Sequence, residues 1–585
     1  MSFPAFGEFV RSLESAGDLQ HVRIEVDPHL EITEIATRGL KEGRPALFFE
    51  NVKGSAYPLV INSFASEQRI EHALGKNPQQ IGEELIGFVE RLMPPKLDVL
   101  WKNRSMLKRF LLARAGTSFS GVAQQLMEGP DLSRLPIQTC WPKDGGRFIT
   151  LGQVFTHDPI DKKRNVGIYR LHVYESATTG MHWQIQKGGG FHYNRSEILG
   201  KDLEVAVALG TDPALLLASV AALPEGIDEV LFASFLSGKP IPMVKAKTLS
   251  LRVPANAEFI IEGVVPPRER RMEGPFGDHF GHYSHAARFP VYHVRTITRR
   301  EHPVYPAIVV GIPPMEDKFL GDATQQILGP LVKLIHREVK DVWAYYEAGF
   351  HNLLVVSVEE RYKKEAMKAA LGLLGTGQLS LTKCIVLVSS QVNPREWRSV
   401  LKEIRMNFDS HFDFVLLPKV PLDTLDFTSY QMELGSKMII DATRKPNRAG
   451  TRPGRKIANI KGIDRRIVDT SLIEDSLLIV KVWEGGRAVM EKLIKRRELQ
   501  NLKIIAVVSE DVDITNQESY IWGIFTRFDC ERDVVFTEQQ LLGISPLYKG
   551  VMGIDATWKK GYPLPLTMDR KVVKKVEERW EKYWI

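Results

Sequence analysis

Apolar and polar positions change their spacing along this 585-residue chain, and each change marks a different kind of element. In residues 1–115 the pattern is mixed. Glu8 to Ala16 has helical spacing, His21-Val-Arg-Ile-Glu-Val26 alternates like a strand, and Ala46-Leu-Phe-Phe-Glu-Asn-Val52 reads as a second strand. Helical spacing returns over 80–112, broken at Pro94-Pro95. From about 116 to 310 the runs are short, alternating and separated by Gly, Pro and Asp, which predicts an antiparallel barrel or sandwich. Within it, Asn165 to Glu175 reads as one strand, with Ile168 and Arg170 on one face and Tyr169 and Leu171 on the other. A long helix is predicted over 315–345. Beyond it, Asn352–Val358 and Lys383–Ser389 are continuous apolar strands around a helical stretch, Lys363–Leu374, which predicts α/β structure with a largely parallel sheet.

That last unit recurs. Lys383-Cys-Ile-Val-Leu-Val-Ser389 matches Lys503-Ile-Ile-Ala-Val-Val-Ser509, and without a gap Phe408-Asp409 then falls on Phe528-Asp529 and Asp413 on Asp533. Leu353–Val358 pairs with Leu477–Val482, and Ile-Asp-Ala-Thr occurs at 440–443 and again at 554–557. The pattern predicts an internal duplication across a basic, Pro/Gly-rich linker. The second copy carries no acid cluster, Gly-rich loop or His constellation, and is expected to be structural.

The stretch with chemical promise is Arg271-Met-Glu-Gly-Pro-Phe-Gly-Asp-His-Phe-Gly-His-Tyr-Ser284, flanked by the strand-like runs 258–265 and 289–297. A Gly-Pro-x-Gly hinge turns sharply, because Pro fixes φ and Gly permits positive φ. It can therefore aim Glu273 and Asp278 into one cavity, where neighbouring carboxylates take different pKa values. A solvated hairpin loop explains the same spacing. Gly180-Met-His-Trp-Gln-Ile-Gln-Lys187 reads as a strand running into Gly188-Gly-Gly190, whose backbone N–H groups could approach an anion beside Lys187. Neither a Walker nor a GxGxxG fingerprint is present. His279, His282 and His285 recur every three residues, but lack the HExxH helix context of a metallohydrolase.

Composition narrows the setting. With 78 basic and 71 acidic residues the net charge is only +7, which favours anionic ligands weakly and gives no case for nucleic acid. Three scattered cysteines fit a reducing compartment, and neither a signal peptide nor a spanning apolar run is read, so a cytoplasmic protein that is not integral to the membrane is expected.

The hinge Glu273–Asp278, together with Asn165-x-x-Ile-Tyr-Arg170, Pro224–Glu229 and Pro313-Pro-Met-Glu-Asp-Lys318, resembles the UbiD-type decarboxylases over about residues 5–445. The resemblance implies an α+β multidomain fold: an N-terminal α/β segment (1–115), a split β-barrel, flavin-reductase-like cofactor domain (116–314) and a linker helix (315–345). A C-terminal α/β domain (346–445), a basic linker (446–462) and the second copy of the α/β module with its tail (463–585) follow. It also implies non-oxidative decarboxylation with prenylated FMN, held by manganese or magnesium and often a potassium ion. Loss of CO₂ from an aromatic carbon would leave an in-plane carbanion that the ring cannot delocalise, and the modified flavin supplies the electrophilic sink.

Residue by residue, Arg170 matches the family's cation for the substrate carboxylate or Glu273, Glu273 its permanently ionised partner, and Asp278 its proton donor, expected to have a raised pKa. Asn165 and Glu229 match metal ligands, and Gln186 stands where some relatives have a third, a His. Ile168, Tyr169, Arg170, His182, Trp183, Gln184, Lys187 and Gly188 match flavin contacts. The long chain, Gly145–Val154 and Met181–Ile185 are more similar to the menaquinone-biosynthesis members of the futalosine route, implying a 1,4-dihydroxy-6-naphthoate-type acid as substrate. The alternatives are 4-hydroxy-3-polyprenylbenzoate of ubiquinone synthesis, a catabolic aryl acid undergoing (de)carboxylation, or a noncatalytic flavin-binding scaffold. A flavin prenyltransferase is the implied cofactor supplier, and a homo-oligomer, a dimer or a hexamer of dimers, the implied assembly.

Overall fold

The structure, a computed structural model, describes residues 3–91, 104–184, 187–224, 226–429, 431–445 and 460–585. Gln186, the Pro94-Pro95 break and most of the basic linker therefore lie outside the described residues. The chain forms two compact units, one of residues 1–311, 315–328 and 564–585, the other of 312–314 and 329–563. Among the described residues no helix is long and apolar enough to cross a membrane.

The first unit opens with α1 (Phe6–Ser15), β1 (Leu19–Val22), α2 (Glu31–Lys41), β2 (Ala46–Phe49) and β3 (Leu59–Ile61). Its main sheet contains β4 (Arg147–Ile149), β5 (Gln153–His157), β6 (Arg164–Ile168), β7 (Leu171–Glu175) and β8 (Thr178–Gly180). It continues, after α3 (Gly188–Leu199), with β9 (Leu203–Leu209) and, after α4 (Glu229–Ser237), with β10 (Phe259–Val265), β11 (Arg270–Glu273) and β12 (Ala287–Arg299). The order of the main path is β4-β7-β8-β12-β10-β9-β5-β6, with β11 added on β12.

This order corrects the single strand expected over 165–175. β6 ends the path on one side, while β7 lies next to β4 at the other. Only Tyr169 and Arg170 join them, so the two ends approach within about 11 Å, three Cα steps. The sheet is rolled, and Arg170 sits at the closure, not within a continuous alternation. The strand expected over 180–187 differs in its described part, Ile185 and Gln186 lying outside the described residues: the ladder stops at Gly180, and the glycines begin α3 after Lys187 at its N-cap position. The three glycines are needed for contact. A Cβ on Gly188 would lie 2.1 Å from Asn165 Oδ1, one on Gly189 2.6 Å from Trp183 Nε1, and one on Gly190 2.8 Å from the Gln184 carbonyl.

The helix expected over 315–345 is shorter. The α-helix α5 covers Glu316–Leu328, a 3₁₀ stretch follows at Gly329–Leu334, and Val339–Ala344 (β13) is already a strand. Gly329-Pro330 breaks the helical ladder, since Pro lacks the N–H the next turn requires.

The second unit holds two five-stranded sheets. The first has β13, β14 (Leu354–Val358), β15 (Cys384–Ser389), β16 (Phe414–Pro421) and β17 (Leu434–Asp441), in the order β13-β14-β15-β17-β16. The second has β18 (Ile467–Ile473), β19 (Leu477–Val482), β20 (Ile504–Val508), β21 (Val534–Leu542) and β22 (Ser545–Ala556), in the equivalent order β18-β19-β20-β22-β21. Each sheet has parallel central ladders and antiparallel outer ones, so the largely parallel sheet expected from the apolar runs is a mixed one. Apolar runs report burial on both faces and leave strand direction open. The two sheets share one core, which joins Val355, Val386 and Ile440 of the first to Ile479, Ala506 and Ile554 of the second. Across it Lys383 Nζ donates to the Phe528 carbonyl (2.9 Å) and Lys503 Nζ to the Phe408 carbonyl (2.8 Å). These two bonds exchange under the 120-residue offset read in the sequence, which makes the contact reciprocal.

The tail expected after the second copy belongs to the other unit. Leu564–Ile585, including α6 (Arg570–Arg579), packs in the first unit. Its aromatic and cationic side chains find partners on α2: Glu31, fully buried, takes Lys575 Nζ at 2.8 Å, Arg579 Nη1 at 2.5 Å and the Tyr583 hydroxyl at 2.8 Å.

Candidate active site

The hinge forms a small hairpin within the loop 274–286 between β11 and β12. Gly274 takes φ +87°, as the Gly-Pro pattern requires, and Gly281 takes φ +73°. Ser284 N donates to the Phe276 carbonyl (2.8 Å) and Asp278 N to the His282 carbonyl (3.1 Å). Gly281 N closes a turn on the Asp278 carbonyl (2.9 Å), with Asp first and Gly last, the residues such turns prefer. Asp278 thereby stands at the start of the tip, its side chain buried.

Three predicted residues meet here. Arg170 Nε donates to Glu273 Oε1 at 3.0 Å, Nη1 pairs with Asp278 Oδ2, and Nη2 donates to Ser284 Oγ at 3.2 Å. The guanidinium lies over the Phe276 ring, 4.8 Å from its centroid, so its flat face is covered while its edge binds both acids. His182 Nδ1 is 2.8 Å from Glu273 Oε1, which thus accepts from two donors. Burial pushes the Glu273 carboxyl up, but His182 and Arg170 outweigh it and hold it below its ordinary value, as expected for a permanently ionised group.

Asp278 departs from expectation. Burial again raises its carboxyl, yet the hydrogen bond from His279 and the Arg170 charge hold it far below the usual carboxylate range. The raised pKa expected from an apolar pocket does not occur, because the carboxylate is buried against cationic and N–H partners, with His279 Nδ1 at 2.7 Å. Of the other two histidines in the run, His282 Nδ1 faces the Phe280 carbonyl at 3.0 Å. No cluster of three or more His, Cys, Asp or Glu capable of holding a metal occurs among the described residues.

A second group lies at the other end of β6. Asn165 is on β6, and Glu229 is the first residue of α4, whose N-cap Asp228 is fixed by Arg164 (Nη2–Oδ2 2.5 Å). Glu229 Oε2 accepts from Val166 N at 3.0 Å, and burial pushes its carboxyl up to about 7. Tyr169 is buried and its hydroxyl accepts from Gly189 N at 3.4 Å, linking this group to the glycine run. Asn165 Nδ2, His182 Nε2, Trp183 Nε1 and Glu273 Oε2 are buried without a hydrogen-bond partner among the described residues. Four such atoms on the two groups are chemically costly unless a ligand meets them. Ile168, Gln184, Lys187 and Gly188, the remaining predicted contacts, are partly exposed around the same segment.

Sequence reasoning missed three residues. Asp144 accepts from Cys140 N (3.0 Å), Trp141 N (2.8 Å) and Gly277 N (2.8 Å), bolting the hinge to the preceding loop; burial raises its carboxyl to about 7. Asp317, in α5, is pushed up to about 6 by burial, and its charge is felt by both His279 and Asp278. Ser284 is the third. A lone Asp in a loop gives no spacing signal, although Asp317 does fall inside the Met-Glu-Asp-Lys motif at 315–318.

Comparison with known proteins fits this geometry. Three UbiD domain models, described as the N-terminal, Rift-related and C-terminal domains of 3-octaprenyl-4-hydroxybenzoate carboxy-lyase, match residues 10–89, 117–313, and 318–442 with 479–556. A relative from Archaeoglobus fulgidus, without an assigned function, is 43% identical over 76% of this chain and 92% of its own. A Chlamydia pneumoniae protein, named as one subunit of a 4-hydroxybenzoate decarboxylase, is 35% identical over 96% of this chain and 95% of its own. Among solved structures, the vanillic acid decarboxylase of Sedimentibacter hydroxybenzoicus in closed form superposes with TM-score 0.69 at 25% identity, covering 79% of this chain and 98% of that one. The UbiD-class enzyme HmfF of Pelotomaculum thermopropionicum, in complex with FMN, gives TM-score 0.63 at 29% identity over 79% and 99%. The chain belongs to the UbiD family, and is a carboxy-lyase of that type.

Proposed function

We propose that this protein removes CO₂ from an aromatic carboxylic acid using prenylated FMN. The observation that carries the reading is the convergence of Arg170, Glu273 and Asp278 on one buried cluster beside His182. The site's residues fit the cofactor: the orphaned buried donors Asn165 Nδ2, His182 Nε2 and Trp183 Nε1 are available to a flavin's polar atoms, and the glycine run lets the Asn165 and Trp183 side chains pack against α3. Asn165 and Glu229 offer the hard oxygen donors that manganese or magnesium takes, and a cation would hold the Glu229 carboxyl ionised. When bound, the modified flavin supplies the electrophilic centre for the substrate carbon.

The chain's own residues do the rest. Arg170 offers a fixed fork that a substrate carboxylate can share with Glu273. Glu273, held ionised by His182 and Arg170, keeps that fork oriented. Once substrate draws Arg170 away, Asp278 loses one of the two partners that hold it ionised, the other being His279, and takes up a proton more readily. Asp278 then delivers this proton to the carbon that CO₂ leaves; His279, hydrogen-bonded to Asp278, and Asp317, whose charge both feel, are the groups that would replace it.

For the substrate we favour a 1,4-dihydroxy-6-naphthoate-type acid, on the resemblance to the long menaquinone-pathway members. A hydroxybenzoate is the second reading, favoured by the name of the Chlamydia pneumoniae relative. Expression with and without a flavin prenyltransferase, followed by cofactor mass and CO₂ release from a panel of aromatic acids, tests both. Turnover should require the prenyltransferase; activity with unmodified FMN, or none with any acid, would overturn the mechanism.

Gly188→Ala probes the cofactor segment separately. The added methyl would sit 2.1 Å from Asn165 Oδ1 and displace a proposed ligand. Flavin affinity should fall about 10- to 100-fold, as for other disturbances next to a metal ligand. Flavin absorbance of the purified protein measures it, and a wild-type flavin content would remove Asn165 from the site.

A further inference from the structure

The C-terminal segment after the second sheet touches the hinge itself. Leu566 N donates to the Gly281 carbonyl (2.9 Å), and Tyr283 N donates to the Leu564 carbonyl (3.2 Å), forming an antiparallel bridge centred on His282 and Pro565. The local sequence Pro563-Leu-Pro-Leu566 suits this contact. In such a bridge the central pair turns its own N–H and C=O outward, so Pro565 costs no ladder bond, while Leu564 and Leu566 provide the acceptor and the donor. Proline on both sides of Leu564 also narrows the backbone before it docks.

The side chain adds a second grip. Leu566 is buried, and its Cδ2 lies 2.9 Å from where a Cβ on Gly277 would be. Gly277 is also the residue that Asp144 holds through its N–H, and the Trp141 ring packs at the same position, its Cδ1 2.2 Å from that Cβ site. Asp278 therefore lies between Gly277, which Asp144, Trp141 and Leu566 contact, and Gly281, whose carbonyl accepts from Leu566 N. Further along, the segment is anchored far from the hinge. Asp569 caps α6 through Lys571 N (2.7 Å), and Lys575, Arg579 and Tyr583 converge on buried Glu31. Arg38 and Arg44 cover the Trp580 ring at 4.1 and 5.2 Å.

We infer that Leu564–Leu566 is a strap that positions the hinge tip for catalysis, with Leu566 as a positioning residue for Asp278. The strap follows the second sheet in sequence and packs in the first unit. The inference rests on the proposed role of Asp278, and its test has one arm that does not.

In the full-length holoenzyme, Leu566→Ala should lower kcat about 10- to 100-fold, the effect of misplacing a reacting group by a fraction of an ångström to an ångström. KM and flavin content should stay near wild type, and Leu566→Met, which refills the space, should restore most of kcat. Peptide-resolved hydrogen exchange is the independent arm: amides of 276–284 should exchange at least about tenfold faster in Leu566→Ala, with those of β10 and β12 unchanged. Exchange confined to the hinge with unaltered kcat would mean that the strap holds the hinge but Asp278 does not act there, which sinks the proposed role and spares the contact. Unaltered hinge exchange, or a uniform rise across the unit, overturns the strap.

Discussion

Asp278→Asn is expected to retain flavin and lose turnover by about 10³-fold or more, near the upper range for removal of a general acid. The change is nearly isosteric. An amide oxygen still accepts from His279 N (2.8 Å in the native chain), and the turn closed by Gly281 on the Asp278 carbonyl uses only backbone. The hinge should therefore keep its shape. What is lost is the exchangeable proton: replacing CO₂ by hydrogen consumes one proton per turnover, and an amide cannot deliver it. The native carboxyl is held ionised by His279 and Arg170, so the proposed donation requires substrate to weaken that hold. Flavin absorbance and CO₂ release, measured on the same preparation, decide the matter. Loss of flavin together with activity would make Asp278 a structural residue, and retained turnover would move the proton donor elsewhere.

Arg170→Met should remove activity and destabilise the fold by about 3–5 kcal/mol at pH 7, because two buried carboxylates lose their shared cation. The pH dependence has a definite sign. Glu273 and Asp278 are both held below their ordinary values of 4.5 and 3.8. Their contribution to stability is present above those values and is lost as pH falls through the depressed folded ones. In the variant both carboxyls rise, and protonation at low pH relieves them. The gap in unfolding midpoint between wild type and variant should therefore be widest near neutrality and shrink below about pH 4.5. Calorimetric midpoints at pH 7 and pH 4 measure it. A gap that widens toward acid would show that Arg170 does not hold these groups ionised.

The sequence made the hinge legible because Gly274-Pro275-x-Gly277 spells a turn, and of its two glycines Gly274 takes the positive φ that the pattern permits. The strands over 354–358 and 384–389 were legible for a different reason, burial on both faces. The break at Tyr169-Arg170 was not. Alternation is a local property, and Asn165 to Glu175 keeps its period through the point where the chain leaves one end of the sheet for the other. The ionised state of Asp278 was illegible as well, since an apolar pocket and a pocket lined by His279 and Arg170 read alike until residues 170 and 279 are brought together. Asp144 and Leu566 share that difficulty: each contacts Gly277 from far away in the chain, 133 and 289 positions.

The docking of Leu564–Leu566 on Gly281 and Tyr283 has a consequence for biosynthesis. A ribosome adding about 5–20 residues per second makes the hinge roughly a quarter to a full minute before it makes the segment that covers it. Through that interval the nascent first unit presents an uncovered hinge and a buried-type carboxylate, Glu31, whose cations have yet to be translated. A message truncated within the second copy would yield a protein with Arg170, Glu273 and Asp278 in place and a hinge held by Asp144 without Leu566.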